Sequence, residues 1–323
     1  MKKYFFMALA ALATLTACQP DEPQTMVNDG TIKFMSAETR ATVTDITTLA
    51  TNGFNVYGYT TGANGYDVFN PTTATPTTTP AQPNTTVWNT DVTKYWAEGQ
   101  TYDFVALYPL SVTGSYVIAN RKTTVAFTGN AETDFVAATA TAENVTTDRG
   151  AVALTFKHQL SRVAFKFVNA FTANDITVDV ANVQLLAVPT SATFTYTAGT
   201  PWTTVISSPN SASVAYDGTT NLAKDGEYTT DYKYIVPTEG ATTVAYKLSC
   251  NVTIKHNNGE VLKQFDCTGT NALTIGEVDY NAGLGYVFTT NISSTINPIT
   301  FTVSVENWED ATGYDNEIDF PGN

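Results

Sequence analysis

The sequence predicts an all-β protein, two antiparallel β-sandwich domains in tandem behind an N-terminal lipoprotein-type signal peptide. Three observations carry that prediction. Thr, Val, Tyr and Phe are abundant while only 14% of the 323 residues are charged, a composition that suits pleated, half-buried surfaces. Short apolar runs recur at the spacing of sandwich strands, with Gly and Pro punctuating the turns between them. The helices that a parallel α/β sheet needs between its strands have no counterpart in the pattern. Beyond the leader, about 300 residues exceed the usual size of one all-β domain and suggest two of ~150 residues each.

Along the chain the first apolar segment, 31–35, reads as a strand with a polar exit through Ser36, Arg40 and Ala41. A strand at 54–59 follows. The Thr- and Pro-rich stretch 70–86 lacks the apolar spacing of a core element and is expected to be a long solvated loop. Further strands fall at 101–109, 115–119, 123–127 and 152–156, separated by turn signals at 128–130 and 148–150. A domain boundary near Gly150 then gives 41–150 and 151–323. In the second half the strands are 154–168, 176–180, 183–188, 192–196, 231–236, 285–290 and 298–306. A hairpin at 246–266 turns at His256-Asn257-Asn258-Gly259.

That hairpin carries two of the three cysteines. If the turn is symmetric about Asn258 and Gly259, Cys250 falls opposite Cys267, and a disulfide needs their Cβ atoms within about 4.5 Å. One bulge would turn the two side chains to opposite faces. The residues leave both outcomes open. Without Cys or His neighbours the pair makes no metal site.

The N-terminus has Lys2 and Lys3, an apolar run over 4–12, and Leu15-Thr16-Ala17-Cys18. A basic head beside an apolar core of this length suits a signal peptide, since a spanning helix needs roughly 20 apolar residues. The Leu-x-Ala-Cys end resembles the bacterial lipobox. It makes 1–17 the signal peptide and Cys18 a lipidated anchor, against the alternative of an ordinary signal with a chance cysteine. The acidic, Pro-containing stretch 19–23 is at least a flexible tether, and it resembles the export signals of Bacteroidetes surface lipoproteins. That resemblance implies the cell outer membrane.

The net charge is −14. Residues 1–40 carry four cations (Lys2, Lys3, Lys33, Arg40) and four anions (Asp21, Glu22, Asp29, Glu38), so their removal leaves the balance unchanged. Such acidity argues against nucleic acid as a partner and against docking on anionic lipid. Two histidines, His158 and His256, stand on separate elements. There is no Gly-x-Ser-x-Gly, His-Glu-x-x-His, phosphate-cradling loop or twelve-residue calcium loop. No enzyme activity, cofactor or metal is expected.

Four separated motifs, in order, carry a resemblance. They are Phe54-x-Val56-Tyr57-Gly58-Tyr59, Tyr95-Trp96 with Tyr102-x-Phe104-x-Ala106-x-Tyr108-Pro109, Leu154-x-Phe156-Lys157-His158-x-Leu160-Ser161, and Gly285-Tyr286 followed by a strand ending near Trp308. Together they resemble the fimbrillin family of Bacteroidetes type V pili, over almost the whole mature chain. Individually the aromatics Tyr57, Trp96, Phe104 and Trp308 read as sandwich interior.

The resemblance implies two transthyretin-like sandwiches and assembly by protease-triggered strand exchange, supporting adhesion. A lipidated propeptide, 18–40, would carry a removable first strand. An arginine-directed protease would cut between Arg40 and Ala41, and a strand from another fimbrial subunit would fill the groove. On position alone Arg40 reads as an ordinary loop arginine. A donor must alternate in polarity, and in 313–320 Tyr314, Asn316, Ile318 and Phe320 share one face while Asp315, Glu317 and Asp319 share the other. A terminal edge strand or a disordered acidic tail fits the same pattern. Before cleavage the partner is the outer membrane, through Cys18; afterwards the protein belongs to the fimbrium. Within the family a tip or anchor subunit is the nearest alternative. From another class, a non-polymerising lipoprotein would bind glycans through exposed Trp88, Trp96 or Trp202.

Overall fold

The computed structural model describes residues 30–36, 52–61, 65–76, 87–146, 149–207, 212–238, 244–297 and 299–307. Described strands of the first half are β1 (Phe34–Ser36), β2 (Phe54–Thr60), β3 (Asp67–Pro76), β4 (Val87–Thr90), β5 (Tyr102–Tyr108), β6 (Gly114–Val117), β7 (Lys122–Thr128) and β8 (Val136–Ala142). Beyond Gly150 come β9 (Val152–Leu154), β10 (Lys157–His158), β11 (Ser161–Asn169), β12 (Ile176–Val188), β13 (Ser191–Thr197), β14 (Thr203–Ile206), β15 (Ala212–Tyr216) and β16 (Thr219–Leu222). The last are β17 (Glu227–Thr229), β18 (Lys233–Ile235), β19 (Val244–His256), β20 (Val261–Cys267), β21 (Leu273–Val278), β22 (Leu284–Ile292) and β23 (Thr302–Asn307).

An eight-stranded sheet runs β10-β8-β5-β2-β3-β4-β1-β9. Its two edge strands, β9 and β10, are separated by only residues 155 and 156, so the sheet rolls until its edges approach one another. Inside the roll lies a core that includes Phe34, Phe54, Phe69, Trp88, Trp96, Phe104, Val152 and Leu154. Strands β2 and β5 are buried along their whole length. Alternation explains it: Phe54, Val56, Phe104 and Ala106 point into the roll, and Tyr57, Tyr59, Val105 and Leu107 point outward into a second core. Gly58 leaves room for this, because a Cβ there would lie 2.8 Å from Phe69 and 2.9 Å from Phe104.

The second core is closed by a four-stranded sheet, β14-β13-β7-β6. That sheet joins strands from both sides of residue 150, with Phe194 of β13 opposite Val125 of β7. Strands β9 and β10 likewise stay with the first sheet. The chain therefore crosses the expected boundary and returns. The remaining strands form a sandwich of two sheets, β17-β11-β22-β23 with β18 also on β11, and β15-β12-β19-β20 with β16 and β21 alongside. A third core between them includes Phe165, Phe167, Leu248, Ile254, Tyr280 and Phe288.

The all-β sandwich architecture agrees with the sequence, and the differences have physical causes. Residues 70–76, expected to be loop, belong to β3, which pairs with β2 and β4. Thr is β-branched and suits a strand even where apolar alternation is weak, and the core supplies that pairing with Val68 and Phe69. The two strands expected at 176–180 and 183–188 are one, β12, interrupted by a register shift between Ala181 and Gln184 where Asn182 has φ 54°. Among the described residues two pairings are parallel, β1 with β9 and β11 with β22.

One ion pair fastens the four-stranded sheet to the roll. Asp103 on β5, only 2% exposed, takes Arg121 Nε at 2.6 Å and Nη2 at 2.7 Å, and accepts from Thr141 Oγ1 at 2.8 Å. Arg121→Ala would leave that carboxylate buried with the Thr141 bond alone. Since Arg121 is itself 43% exposed, a loss of about 2 kcal/mol is expected in urea unfolding, with Arg121→Lys recovering only part because a lysine cannot make the two-pronged contact.

Candidate functional site

The first strand is seated in a groove. Ile32 and Phe34 are 2% and 0% exposed, while Thr31, Lys33 and Met35 between them are half-buried, the alternation of a strand with one face in a core. Trp96 N donates to Gly30 O at 3.0 Å and Ile32 N to Lys94 O at 2.8 Å, and Thr31 pairs with Tyr95. β1 then lies between two neighbours, antiparallel to β4 (Phe34 opposite Trp88, Met35 opposite Val87) and parallel to β9 (Phe34 opposite Val152). Val152 N donates to Lys33 O at 2.8 Å.

The floor of the groove is aromatic. Phe34 meets Phe104 edge-on at 5.3 Å and Phe69 at 6.0 Å between ring centroids. Trp88 packs on Phe54 at 5.0 Å, and Trp96 stands at right angles to Tyr102 at 5.1 Å. The indole N–H groups of Trp88 and Trp96 are buried with no acceptor among the described residues. At the rim the Arg149 guanidinium lies 5.7 Å from the Trp96 ring centroid. Departure of β1 would bare the facing backbone edges of β4 and β9 above an apolar trench, a state that invites another strand.

Of the residues singled out in the sequence, Cys18, Arg40, Ala41, Trp308, Tyr314, Asn316, Ile318 and Phe320 lie outside the described residues. The root of the C-terminal segment is described. β23 is an edge strand, antiparallel to β22. Its Glu306 Oε1 accepts from Arg162 Nη2 at 2.7 Å and from Tyr232 OH at 2.6 Å, and the Arg162 guanidinium stacks 4.2 Å above the Tyr232 ring.

Cys250 and Cys267 are directly opposite on β19 and β20, both buried, with free thiols. A register shift does occur, but at Ile254 and Lys255, nearer the turn, where Gly259 holds φ 92°. The hydrogen bond between the thiols, with burial, raises the Cys250 pKa, and the same bond lowers that of Cys267.

The glycan platforms expected at Trp88 and Trp96 are not surfaces, being 1% and 4% exposed. Trp202 packs against the second core, on Tyr196 and Phe135. The histidines are apart: His158 Nδ1 is 2.6 Å from Asp134 Oδ2 in the interior, and His256 pairs with Asp175 at 2.9 Å. No cluster of three His, Cys, Asp or Glu side chains that could hold a metal occurs among the described residues. Sequence reasoning placed Trp96 in a core but did not assign Trp88, Trp96, Val152 and Leu154 to the first strand. Alternation within 31–35 was the available signal, and the parallel partner β9 left none.

Rolled and sandwiched sheets around a clasped N-terminal strand define an all-β protein. Residues 39–308 match the family model described as fimbrillin-like, and the chain belongs to that family. Its fold is similar to that of a fimbrial protein from Bacteroides vulgatus, at 16% identity and TM-score 0.67, over 86% of this chain and 99% of that one. Two further structures align with lower scores. A proposed cell adhesion protein from Bacteroides uniformis has 18% identity over 90% of this chain and 100% of that one, TM-score 0.47. The fimbrial anchor protein Mfa2 from Porphyromonas gingivalis has 10% identity over 86% and 97%, TM-score 0.34. No protein of curated function matches the sequence.

The seat of Phe34 predicts its weight in the fold. Phe34→Ala empties a fully buried site between Phe69 and Phe104 and should lower stability by about 3–5 kcal/mol in denaturant unfolding, whereas Lys33→Ala, on the outer side of the strand, should change it by less than about 0.5 kcal/mol.

Proposed function

We propose that the protein is a polymerising subunit of a type V fimbria, exported as a lipoprotein anchored through Cys18 in the cell outer membrane and released by cleavage between Arg40 and Ala41. The observation that carries this reading is the seat of 30–36. It is a short segment, N-terminal to Arg40, holding a central strand position between β4 and β9 with Ile32 and Phe34 in the core. A segment so placed leaves behind a strand-shaped, apolar acceptor.

After cleavage the acceptor is filled by the C-terminal segment 313–320 of another subunit, whose Tyr314, Asn316, Ile318 and Phe320 form the inward face. A head-to-tail contact of this kind does not close on itself and grows a filament. The partners are thus other fimbrial subunits and an arginine-directed protease, with the membrane lipid as the earlier anchor. The Glu306 clasp would fix the point from which the donor leaves its own domain. Outside the cell an external disulfide acts as the two-electron oxidant: one thiolate of the Cys250 and Cys267 pair attacks it and expels a thiol, and the other then attacks that mixed disulfide and expels the second thiol, closing the cross-strand bond.

The N-terminus and intact mass of protein sheared from the cell surface test the assignment. Ala41 as first residue in high-molecular-weight filaments is the expected result; lipidated Cys18 throughout would instead assign the chain to an anchor and end the polymerising reading. In the same spectrum the native protein should be lighter by two hydrogens than after reduction, and equal masses would remove the disulfide.

A further inference from the structure

We infer that the outer face of the four-stranded sheet, β14-β13-β7-β6, is a lateral docking face whose occupant is the same face of a second copy of this chain. The inference goes beyond the polymerisation reading and stands without it, because it concerns whole subunits side by side.

One side of this sheet lies in the second core, where Val125, Phe127, Ala192, Phe194 and Tyr196 point inward. The other side is open to solvent, and register lays hydroxyls across it in a row. Ser115 lies opposite Thr124, Thr124 opposite Thr195, and Thr195 opposite Thr203. The next row runs Ala126, Thr193, Val205. Neighbouring strands stand about 4.8 Å apart and successive same-face residues about 6.7 Å apart, so the face is a close grid of small, mostly β-branched side chains. Val117 and Val205 are 52% and 65% exposed on it, and Ala126 is exposed as well.

Charge decides the occupant. The protein has 30 acidic residues and a net charge of −14, yet the four strands contain no carboxylate, and Lys122 is their one charged side chain. Residues 182–216, which supply β13 and β14, are without charge throughout. A soluble domain ordinarily has about a quarter to a third of its surface charged, and depletion of charge is what sets the centre of a protein interface apart. Elsewhere the acidic excess sets two copies against each other; on this face it does not. Threonine and serine hydroxyls both donate and accept, so the face complements itself in a two-fold pair. Their β-branched neighbours, stiff at χ1, lose little freedom when covered. Sites for small ligands such as sugars are concave and lined with aromatics, whereas this is an open sheet whose aromatics, Tyr116, Phe127, Phe194 and Tyr196, belong to the inner side.

Size sets the strength. Four strands, the longest of seven residues, cover about 19 Å by 23 Å. A face-to-face pair thus buries roughly 900 Å² in total, against about 1,600 Å² in a standard stable complex. A single pair is therefore weak, half formed at about 0.1–1 mM. If subunits polymerise, the face repeats along each filament, and many weak contacts together bundle neighbouring filaments.

Sedimentation equilibrium of the whole chain, from about 10 μM to about 1 mM, reads the contact. A reversible monomer–dimer equilibrium is expected, which Ala126→Glu weakens about tenfold by setting two carboxylates face to face. Gln264→Glu makes the same change of charge at an exposed position of β20, on the other sandwich, and should leave the equilibrium within about twofold. Unchanged thermal unfolding shows that each variant is folded. A wild-type chain that stays monomeric throughout overturns the proposal, as does a dimer that Ala126→Glu leaves intact or that both variants weaken alike. A monomer retained on dextran beads, and released by Ala126→Glu, assigns the face to a neutral glycan instead of a second copy. Filament formation by the cleaved protein is read separately by electron microscopy: its failure removes the polymerisation reading and leaves the lateral contact standing.

Discussion

The main-chain pairing of β1, with Phe34 and Met35 held between β4 and β9 and Ser36 on β9, is the constraint on which the rest depends. Edge strands are satisfied on one side and can peel away at the cost of one row of bonds. β1 is bonded on both sides, and its departure leaves two rows unpaired above a trench lined by Phe69, Trp88, Trp96 and Phe104. Burying Phe34 and Ile32 stabilises by roughly 1.5–3 kcal/mol each, so the seat is strong while filled and hard to leave open. Any strand that restores both the backbone bonds and the two apolar contacts is favoured in its place.

The packing around the trench gives the roll support that does not pass through β1. The roll is held from outside by a second core shared between β2, β5, β8 and the four-stranded sheet, with Tyr57, Leu107, Phe127 and Phe194 among its members. None of those contacts involves β1. The Asp103–Arg121 pair ties the same two layers together. Strands from beyond residue 190 complete the layer that supports the N-terminal roll, so the two halves of the chain brace one another rather than sitting end to end.

Most strands were legible because one-faced burial writes alternation into the sequence. β2 and β5 were found from their aromatics; Cys250 and Cys267 do face each other, although the turn is centred on Asn258 and a shift at Ile254 and Lys255 restores the register expected of a turn symmetric about Asn258 and Gly259. β3 was missed because its residues 70–76 are Thr and Pro where the pattern looks for large apolar side chains. β8, in which Ala and Thr predominate, was missed for the same reason: its small side chains fill narrow gaps beside β5. The indoles of Trp88, Trp96 and Trp202 were offered as glycan platforms because a sequence does not say which side of a sheet is covered; Trp88 and Trp96 prove buried.

By itself the sequence determined what local periodicity and chemistry can encode: an all-β chain, apolar at 32 and 34, and a tail of matching alternation. Tertiary structure alone decided that β1 is a central strand, that its parallel partner is β9, that Trp88 and Trp96 line its seat, and that Gly30 holds a positive φ. The reason is physical. Alternation reports which residues of one strand are buried, whereas pairing across more than a hundred residues depends on which backbone edges are left free when the sheet closes.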